Sequence, residues 1–256
     1  MISPFSLSLL EEFRAACAYE RVFGSKILTA LTAYGAGDPA HRFWVALDHG
    51  QPAGALYLSG GVLIVSADER INPDEVAALA RTEQPSEIDS DWRLCEQLRD
   101  RLGGRAESSY YMVHRGAPEA EDFPDIAPAD LPAVFDVLQR SHEYYRTHLR
   151  YEPWSADLRR RMACGFTEVY QLMADGQIVG TGSILSQDDR CGVIAAVAVV
   201  PEYRGRGLGS RMSRFLVQRI RALGKTPRLI SGYDEVAELY RKIGFVPCGR
   251  WGELYL

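Results

Sequence analysis

No Cys-x-x-Cys pair occurs in the chain, and its five cysteines (Cys17, Cys95, Cys164, Cys191 and Cys248) are scattered and odd in number. That pattern excludes a disulfide framework and a cysteine-built zinc site, so no metal is expected. The cysteines read as buried free thiols in a reducing compartment. No apolar run reaches the ~18 residues of a membrane span, and no membrane partner is expected. The opening residues, Met1 to Phe5, lack both a basic stretch and a long apolar core, so no signal peptide is expected either, and the location reads as cytoplasmic. Positive charge is in short supply. Lys and Arg number 29 against 34 Asp and Glu, for a net charge of −5 over 256 residues. That balance argues against a nucleic-acid partner, which needs a basic face.

What is present is enough chain for two domains, at roughly 100–200 residues each. From Gly116 to Asp130 the sequence turns rich in Pro, Ala and acid, and reads as a domain edge. The expected domains are 1–118 and 119–256. In the first, Leu9 to Tyr19 reads as a helix. Phe43–Leu47, Ala53–Leu58 and Val62–Ser66 read as strands. Asn72-Pro73-Asp74 opens a helix, with Asn72 as its cap and Pro73 in its first turn. Asp91–Leu102 is a second amphipathic helix, ended by Gly103-Gly104, and Tyr110–His114 is a closing strand.

In the second domain, Ala129–Ser141 and Ala156–Ala163 read as helices. Val169–Ala174 and Gln177–Leu185 form a hairpin around Asp175-Gly176. Val193–Val200 is almost wholly apolar, as a strand buried on both faces is. A helix follows from Leu208 to Leu223, with Leu208, Met212, Phe215, Leu216, Ile220 and Leu223 at three- and four-residue steps. A strand (Arg228–Ser231), a short helix (Glu235–Ile243) and an extended tail complete it. The halves echo each other. The run from Phe43 to Gly54 is similar to that from Val169 to Gly180, each a strand, a Gly-Gln turn, a strand and a glycine. The parallel stops after Val65, where Ser66-Ala67-Asp68-Glu69-Arg70 has no glycine-rich turn.

The chemistry lies in Val199-Val-Pro-Glu-Tyr-Arg-Gly-Arg-Gly-Leu-Gly-Ser210. Pro201 ends the strand because it cannot donate to a ladder. Gly205, Gly207 and Gly209 let backbone approach a ligand, and the following helix leaves its first amides unpaired at a partially positive end. Such a turn suits a phosphate or pyrophosphate. No G-x-x-x-x-G-K-[ST] string occurs. Ser210 stands where G-x-G-x-x-G needs its third glycine, and no acidic residue follows about 20 residues on.

The string Arg204-Gly-Arg-Gly-Leu-Gly209 is similar to the R/Q-x-x-G-x-G/A signature of the GNAT N-acetyltransferase superfamily. Asp234 to Phe245 resembles that family's second motif, N-x-x-A-x-x-L-Y-x-K-x-G-F, at the family's spacing. The resemblance covers about Phe123 to Leu256. It implies an α+β fold of two GNAT-like halves, each a mostly antiparallel mixed sheet flanked by helices, with a splayed central strand pair in the C-terminal half. The N-terminal half is then a degenerate copy without the cofactor turn, and one cofactor site per chain is expected.

By resemblance, the co-substrate is acetyl-CoA. Backbone groups of Val197, Ala198 and Val199 would pair with the pantetheine arm. The backbone from Arg204 through Gly205, Arg206, Gly207, Leu208 and Gly209 to Ser210 would wrap the pyrophosphate, and the Arg204 and Arg206 side chains would add charge-assisted contacts. Tyr240 would protonate the departing thiolate, a feasible step for a phenol. Asp234 stands where the family has asparagine. A glutamate on the central strand, used as base in some members, is missing, because Ile194–Val200 holds no ionisable residue. His142, Glu143, Tyr145 and His148 are the alternatives, with Glu143 first, since a carboxylate also draws a cationic amine.

The implied activity is direct transfer of an acetyl group from acetyl-CoA to an acceptor amine, a small molecule rather than a protein, through a tetrahedral intermediate. No Ser-His-Asp constellation is needed or found. The alternative is a non-catalytic acyl-CoA-binding or regulatory module. The expected assembly is a monomer or homodimer.

Overall fold

A computed structural model describes residues 1–117, 121–232 and 234–256, without the side chains of Asp234 and Glu235. The expected boundary between 118 and 119 lies outside the described residues, as does the side chain of Asp234. The chain divides into two units. The first comprises Met1–Tyr111, 231–233 and Pro247–Leu256, and the second Met112–Ile230 and Asp234–Val246. The last ten residues, expected with the second half, thus cluster with the first.

In the first unit the elements are β1 (Ile2–Pro4), α1 (Leu10–Cys17), α2 (Arg21–Tyr34), β2 (Arg42–Asp48), β3 (Gln51–Ser59), β4 (Val62–Ala67), α3 (Pro73–Glu83), β5 (Glu87–Asp91), α4 (Trp92–Leu102) and β6 (Arg105–His114), whose last three residues, Met112 to His114, already belong to the second unit. The second holds β7 (Ile126–Pro128), α5 (Leu131–Ser141), α6 (Glu143–His148), α7 (Tyr151–Ala163), β8 (Glu168–Ala174), β9 (Gln177–Gln187), β10 (Cys191–Val199), α8 (Leu208–Ala222), β11 (Thr226–Ser231) and α9 (Asp234–Lys242). The final strand, β12 (Phe245–Tyr255), carries the chain back into the first unit.

Both units are mixed α+β. The first runs β1-β2-β3-β4-β5-β12-β6 and the second β11-β10-β9-β8-β7. A parallel pair occurs in each, β4 with β5 and β10 with β11. The hairpins and meanders around them are antiparallel.

Sequence periodicity missed α2, and its packing explains why. Phe23 and Ile27 are fully buried and Thr29, Ala30 and Ala33 nearly so, leaving little polar face. Val22, Ile27, Thr29 and Thr32 are also β-branched and weak helix formers. Burial of side chains such as Phe23, at about 1.5–3 kcal/mol each, overrides propensity here. Gly24 is required by the packing itself, because a Cβ there would stand 1.7 Å from the Cys17 carbonyl oxygen. The strand β5 was missed as well. Its sequence is acidic, with Ile88 as its one apolar residue, and acidic residues are poor strand formers. Where caps were expected they are present: Asn72 accepts from the Asp74 amide at 2.9 Å.

The echo between halves extends to hydrogen bonds. His49 (φ 48°) and Gly50 (φ 79°), and Asp175 (φ 50°) and Gly176 (φ 74°), form equivalent tight turns with two left-handed residues. An extra residue enters the second strand of each hairpin at matching places, Ala53 and Val179. The carbonyl of each accepts from the chain leaving the third strand, Asp68 N to Ala53 O at 3.0 Å and Val200 N to Val179 O at 2.9 Å. Beyond that point the units diverge. The first goes by a short loop into α3, while the second makes the glycine turn.

Of the cysteines, Cys17, Cys95 and Cys191 are buried, but Cys164 and Cys248 are exposed. Burial of all five is thereby corrected. Cys164 stands at the C-terminal end of α7, where the chain is leaving the helix for solvent. No helix among the described residues is long and apolar enough to cross a membrane.

Candidate active site

The strand β10 follows β11 only from Cys191 to Ile194, against Thr226 to Leu229. From Ala195 it separates. Its pairing to β9 slips by one residue between Ala195 and Ala198. Within that slip Ala196 has φ 52°. A non-glycine residue in the left-handed region costs about 1–3 kcal/mol and is held by its surroundings. Ala196 and Ala198 pack with Leu131, Val134, Leu138 and Leu158 of α5 and α7, which supplies that support. The outcome is a stretch, Val197 to Val199, whose Ala198 and Val199 pair with β9 on one side and which has no strand neighbour among the described residues on the other. The splayed strand pair expected for this half is there.

Past Val200 the chain makes one tight turn (Pro201–Tyr203) and enters the glycine segment. Gly205 (φ 76°) and Gly207 (φ 77°) need to be glycine for the backbone alone. Gly209 does not: it lies inside α8 with ordinary helical backbone, and a Cβ added there meets nothing within 4 Å. Neither conformation nor protein packing accounts for glycine at this position, and glycine is a poor helix former. Open space over Gly209 is what a ligand approaching the backbone requires. The first amide closed within α8 is Arg211 N, to Gly207 O at 3.0 Å. The amides before it, on Leu208, Gly209 and Ser210, lie at the partially positive end of the helix.

The arginines of this region have separate employments. Arg204 Nε donates to Val199 O at 3.1 Å, and its Nη2 donates to Ser141 O at the end of α5. It braces the turn against both elements. Arg206 is exposed and lies over the Tyr203 ring at 4.6 Å, with its Nη1 3.7 Å from Asp175. Arg211 grips Asp125 and Glu121 ahead of β7 and holds the Asp125 carboxyl below its ordinary range.

Tyr240 of α9 is only 9% exposed. Burial pushes its phenol up to about 12, against a hydrogen bond with Ser213 that works to lower it. Ser213 is fully buried on α8, and its Oγ donates to Gly209 O at 2.8 Å. Tyr145 acts on Tyr240 through space, and burial raises its phenol too. Tyr145 packs with the α5–α7 cluster that also holds Ala196 and Ala198. Glu143, two residues earlier, is exposed in the first turn of α6, and His142 caps that helix, its Nδ1 accepting from Tyr144 N at 3.1 Å. Sequence reasoning did not reach Ala196 or Ser213. Neither carries a motif letter, and only the strand slip and the burial under Tyr240 mark them.

A recess of about 790 Å³ lies further along α8, between Arg214, Val217 and Arg221 and the Arg241–Gly244 end of α9. His114 at its wall holds a fixed tautomer: Nε2 donates to Ile243 O at 2.8 Å and Nδ1 accepts from Arg221 Nη2 at 3.0 Å. This recess is not lined by the glycine turn or by β10.

A splayed strand with a slipped register thus leads through a glycine turn to a helix start. The acetyltransferase (GNAT) family model matches residues 131–245. Over 96 residues (35% of this chain, 65% of the relative) the sequence is 32% identical to a glucosamine 6-phosphate N-acetyltransferase of Trypanosoma brucei brucei. Over 56 residues (22% and 29%) it is 36% identical to an uncharacterized N-acetyltransferase of Escherichia coli. The match thus spans less than two thirds of either relative. Among solved structures, a tandem GNAT protein from the clavulanic acid biosynthesis pathway covers 99% of this chain and 97% of its own, with TM-score 0.62 at 14% identity. That likeness establishes the fold.

Proposed function

We propose that the second unit is an N-acetyltransferase that moves the acetyl group of acetyl-CoA directly to a small-molecule amine. The observation that carries the reading is the combination at one end of β10: strand backbone with a free edge, followed by a glycine turn whose Gly209 has no other reason to be glycine. The residues present suit acetyl-CoA. The amides of Leu208, Gly209 and Ser210 would take the pyrophosphate, with the backbone of Arg204 to Gly207 around it. Backbone groups of Val197, Ala198 and Val199 would hold the pantetheine arm. Bound there, acetyl-CoA supplies an activated acyl group and a thiol leaving group.

The chain's own part is orientation and proton transfer. The left-handed Ala196 turns the backbone of the strand toward the open edge, where an amide near Val199 can polarise a carbonyl. Tyr240, kept protonated by burial, donates its phenolic proton to the departing sulfur. Glu143 draws the cationic amine and accepts its proton. The first unit serves as a degenerate copy of the same fold, without a cofactor turn, which gives one acetyl-CoA site per chain. One curated relative is named for glucosamine 6-phosphate, so amino-sugar phosphates are the first acceptors to test.

The test is thiol release from acetyl-CoA by the full chain with a panel of amines: amino sugars and their phosphates, polyamines, and lysine peptides. Release that depends on a small amine supports the reading. Tight acetyl-CoA binding with no release from any amine overturns it in favour of a binding module.

A further inference from the structure

The sequence showed no metal-binding pattern, yet the first unit assembles a compact group of carboxylates. Asp89 of β5 stands directly opposite Glu253 of β12 in the ladder, and Glu87 shares Asp89's face two residues away. One oxygen from each of the three lies within 4.8 Å of the others. Like charges placed directly across a ladder destabilise it. These are moreover poorly hydrated: Asp89 is 7% exposed, and Glu87 and Glu253 are half-buried. The burial has a visible cause. The side of β12 that carries Trp251 and Glu253 lies under α2, whose Phe23 ring meets Trp251 edge-on at 5.9 Å.

The expected protein partner for this charge is not engaged. Lys26, one turn beyond Phe23, acts on Asp89 and Glu253 through space. Among the described residues, however, neither it nor any other cation forms an ion pair within 4.0 Å of these carboxylates, though closer pairs are found elsewhere in the unit, such as Arg101 with Asp74 at 2.7 Å. A separate sign is the buried Oδ1 of Asp89, which has no hydrogen-bond partner; the hydrogen bond that the Asp89 side chain does make is to Glu87, within the group. Leaving a buried acceptor unsatisfied costs about 1–3 kcal/mol, and more when it is charged. Glu253 is oriented from behind, its Oε2 accepting from Tyr255 Oη at 3.1 Å.

We infer that Glu87, Asp89 and Glu253 form a binding site for a divalent cation that prefers oxygen ligands, of the calcium, magnesium or manganese class. Three all-oxygen donors select hard cations over zinc or copper. Two oxygens ligating one ion at ~2.4 Å stand at most about 4.8 Å apart, and the three carboxylates meet that limit. Three carboxylate charges less the charge of Lys26 leave two to be neutralised, which a divalent ion does. The site is in the unit without the glycine turn and is independent of the acyl-transfer reading.

Chelator-treated full-length protein is titrated with Ca2+, Mg2+ and Mn2+ while its Tm is followed, and Mn2+ binding is counted by loss of the free-ion resonance signal. The expected result is one bound Mn2+ per chain and a saturable rise of about 5–10 °C at a hundredfold excess over Kd. In Asp89→Asn, which keeps shape and removes the charge, the ion-dependent rise is lost while the ion-free Tm is equal to or above that of the wild type. Glu253→Gln repeats the comparison if the first variant folds poorly. The inference is overturned if none of the ions moves the wild-type Tm at millimolar concentration, the group then being neutralised by a shared proton only. It is equally overturned if both variants respond to the ions as the wild type does.

Discussion

Ser213 Oγ donates to the carbonyl of Gly209 at 2.8 Å while its hydroxyl also meets the phenol of Tyr240. One buried serine on α8 therefore couples the residue proposed as acid to the turn proposed to hold the pyrophosphate.

Replacing Tyr240 by Phe removes the proton donor and keeps the ring. Acetyl-CoA binding, measured by calorimetry, stays within about twofold, while the rate of thiol release falls about 10²–10⁴-fold. If the rate is unchanged, Tyr240 is not the acid. The phenol pKa also predicts a pH effect on stability. The folded value, about 12, lies above the ordinary ~10 of an unfolded tyrosine. Its contribution is complete below pH ~10 and is lost as the pH rises toward 12, because the unfolded chain ionises first. Urea titrations between these limits should show a smaller alkaline loss of stability in Tyr240→Phe than in the wild type.

Gly209→Ala separates binding from folding. Alanine is favoured over glycine in a helix by up to ~1 kcal/mol, and the added Cβ meets no protein atom within 4 Å. Urea denaturation should show equal or greater stability, while acetyl-CoA affinity falls tenfold or more. Unchanged affinity would remove the argument that the open space belongs to the ligand.

Arg204→Ala cuts both ties of the turn, to Val199 and to Ser141. The expected cost is about 1–3 kcal/mol of stability, since charged hydrogen bonds to backbone are lost. Arg204→Lys should recover little of this, because an ammonium lacks the fork that reaches two carbonyls. Denaturant midpoints of the three proteins decide it. A rescue by lysine would point to charge rather than bracing.

Gly24→Ala tests the packing of the helix that sequence periodicity missed. Its Cβ would overlap the Cys17 carbonyl, which is backbone and cannot swing aside. Destabilisation of at least about 1–3 kcal/mol is expected, as for overpacked cores. A variant as stable as the wild type would mean that α1 and α2 can separate at little cost.

The amino-acid sequence by itself determined the elements whose signals are local. The hairpin turn at Asp175-Gly176, the Asn72 cap, the amphipathic α8 and the glycine turn all depend on residues near in the chain, and φ preference, capping and periodicity can be read there. It failed where neighbours in space overrule local preference. The helix α2 forms from β-branched residues and a glycine because more than half of it is buried, and β5 is a strand despite its acids because β4 and β12 flank it. At the candidate site, the glycines and Tyr240 stand in recognisable motifs, but the left-handed Ala196, the Ser213 link and the bracing role of Arg204 do not. Only the tertiary structure decided those, as it decided that Asp89 and Glu253 face each other. Each depends on which strand or helix lies alongside, and that is set by long-range packing.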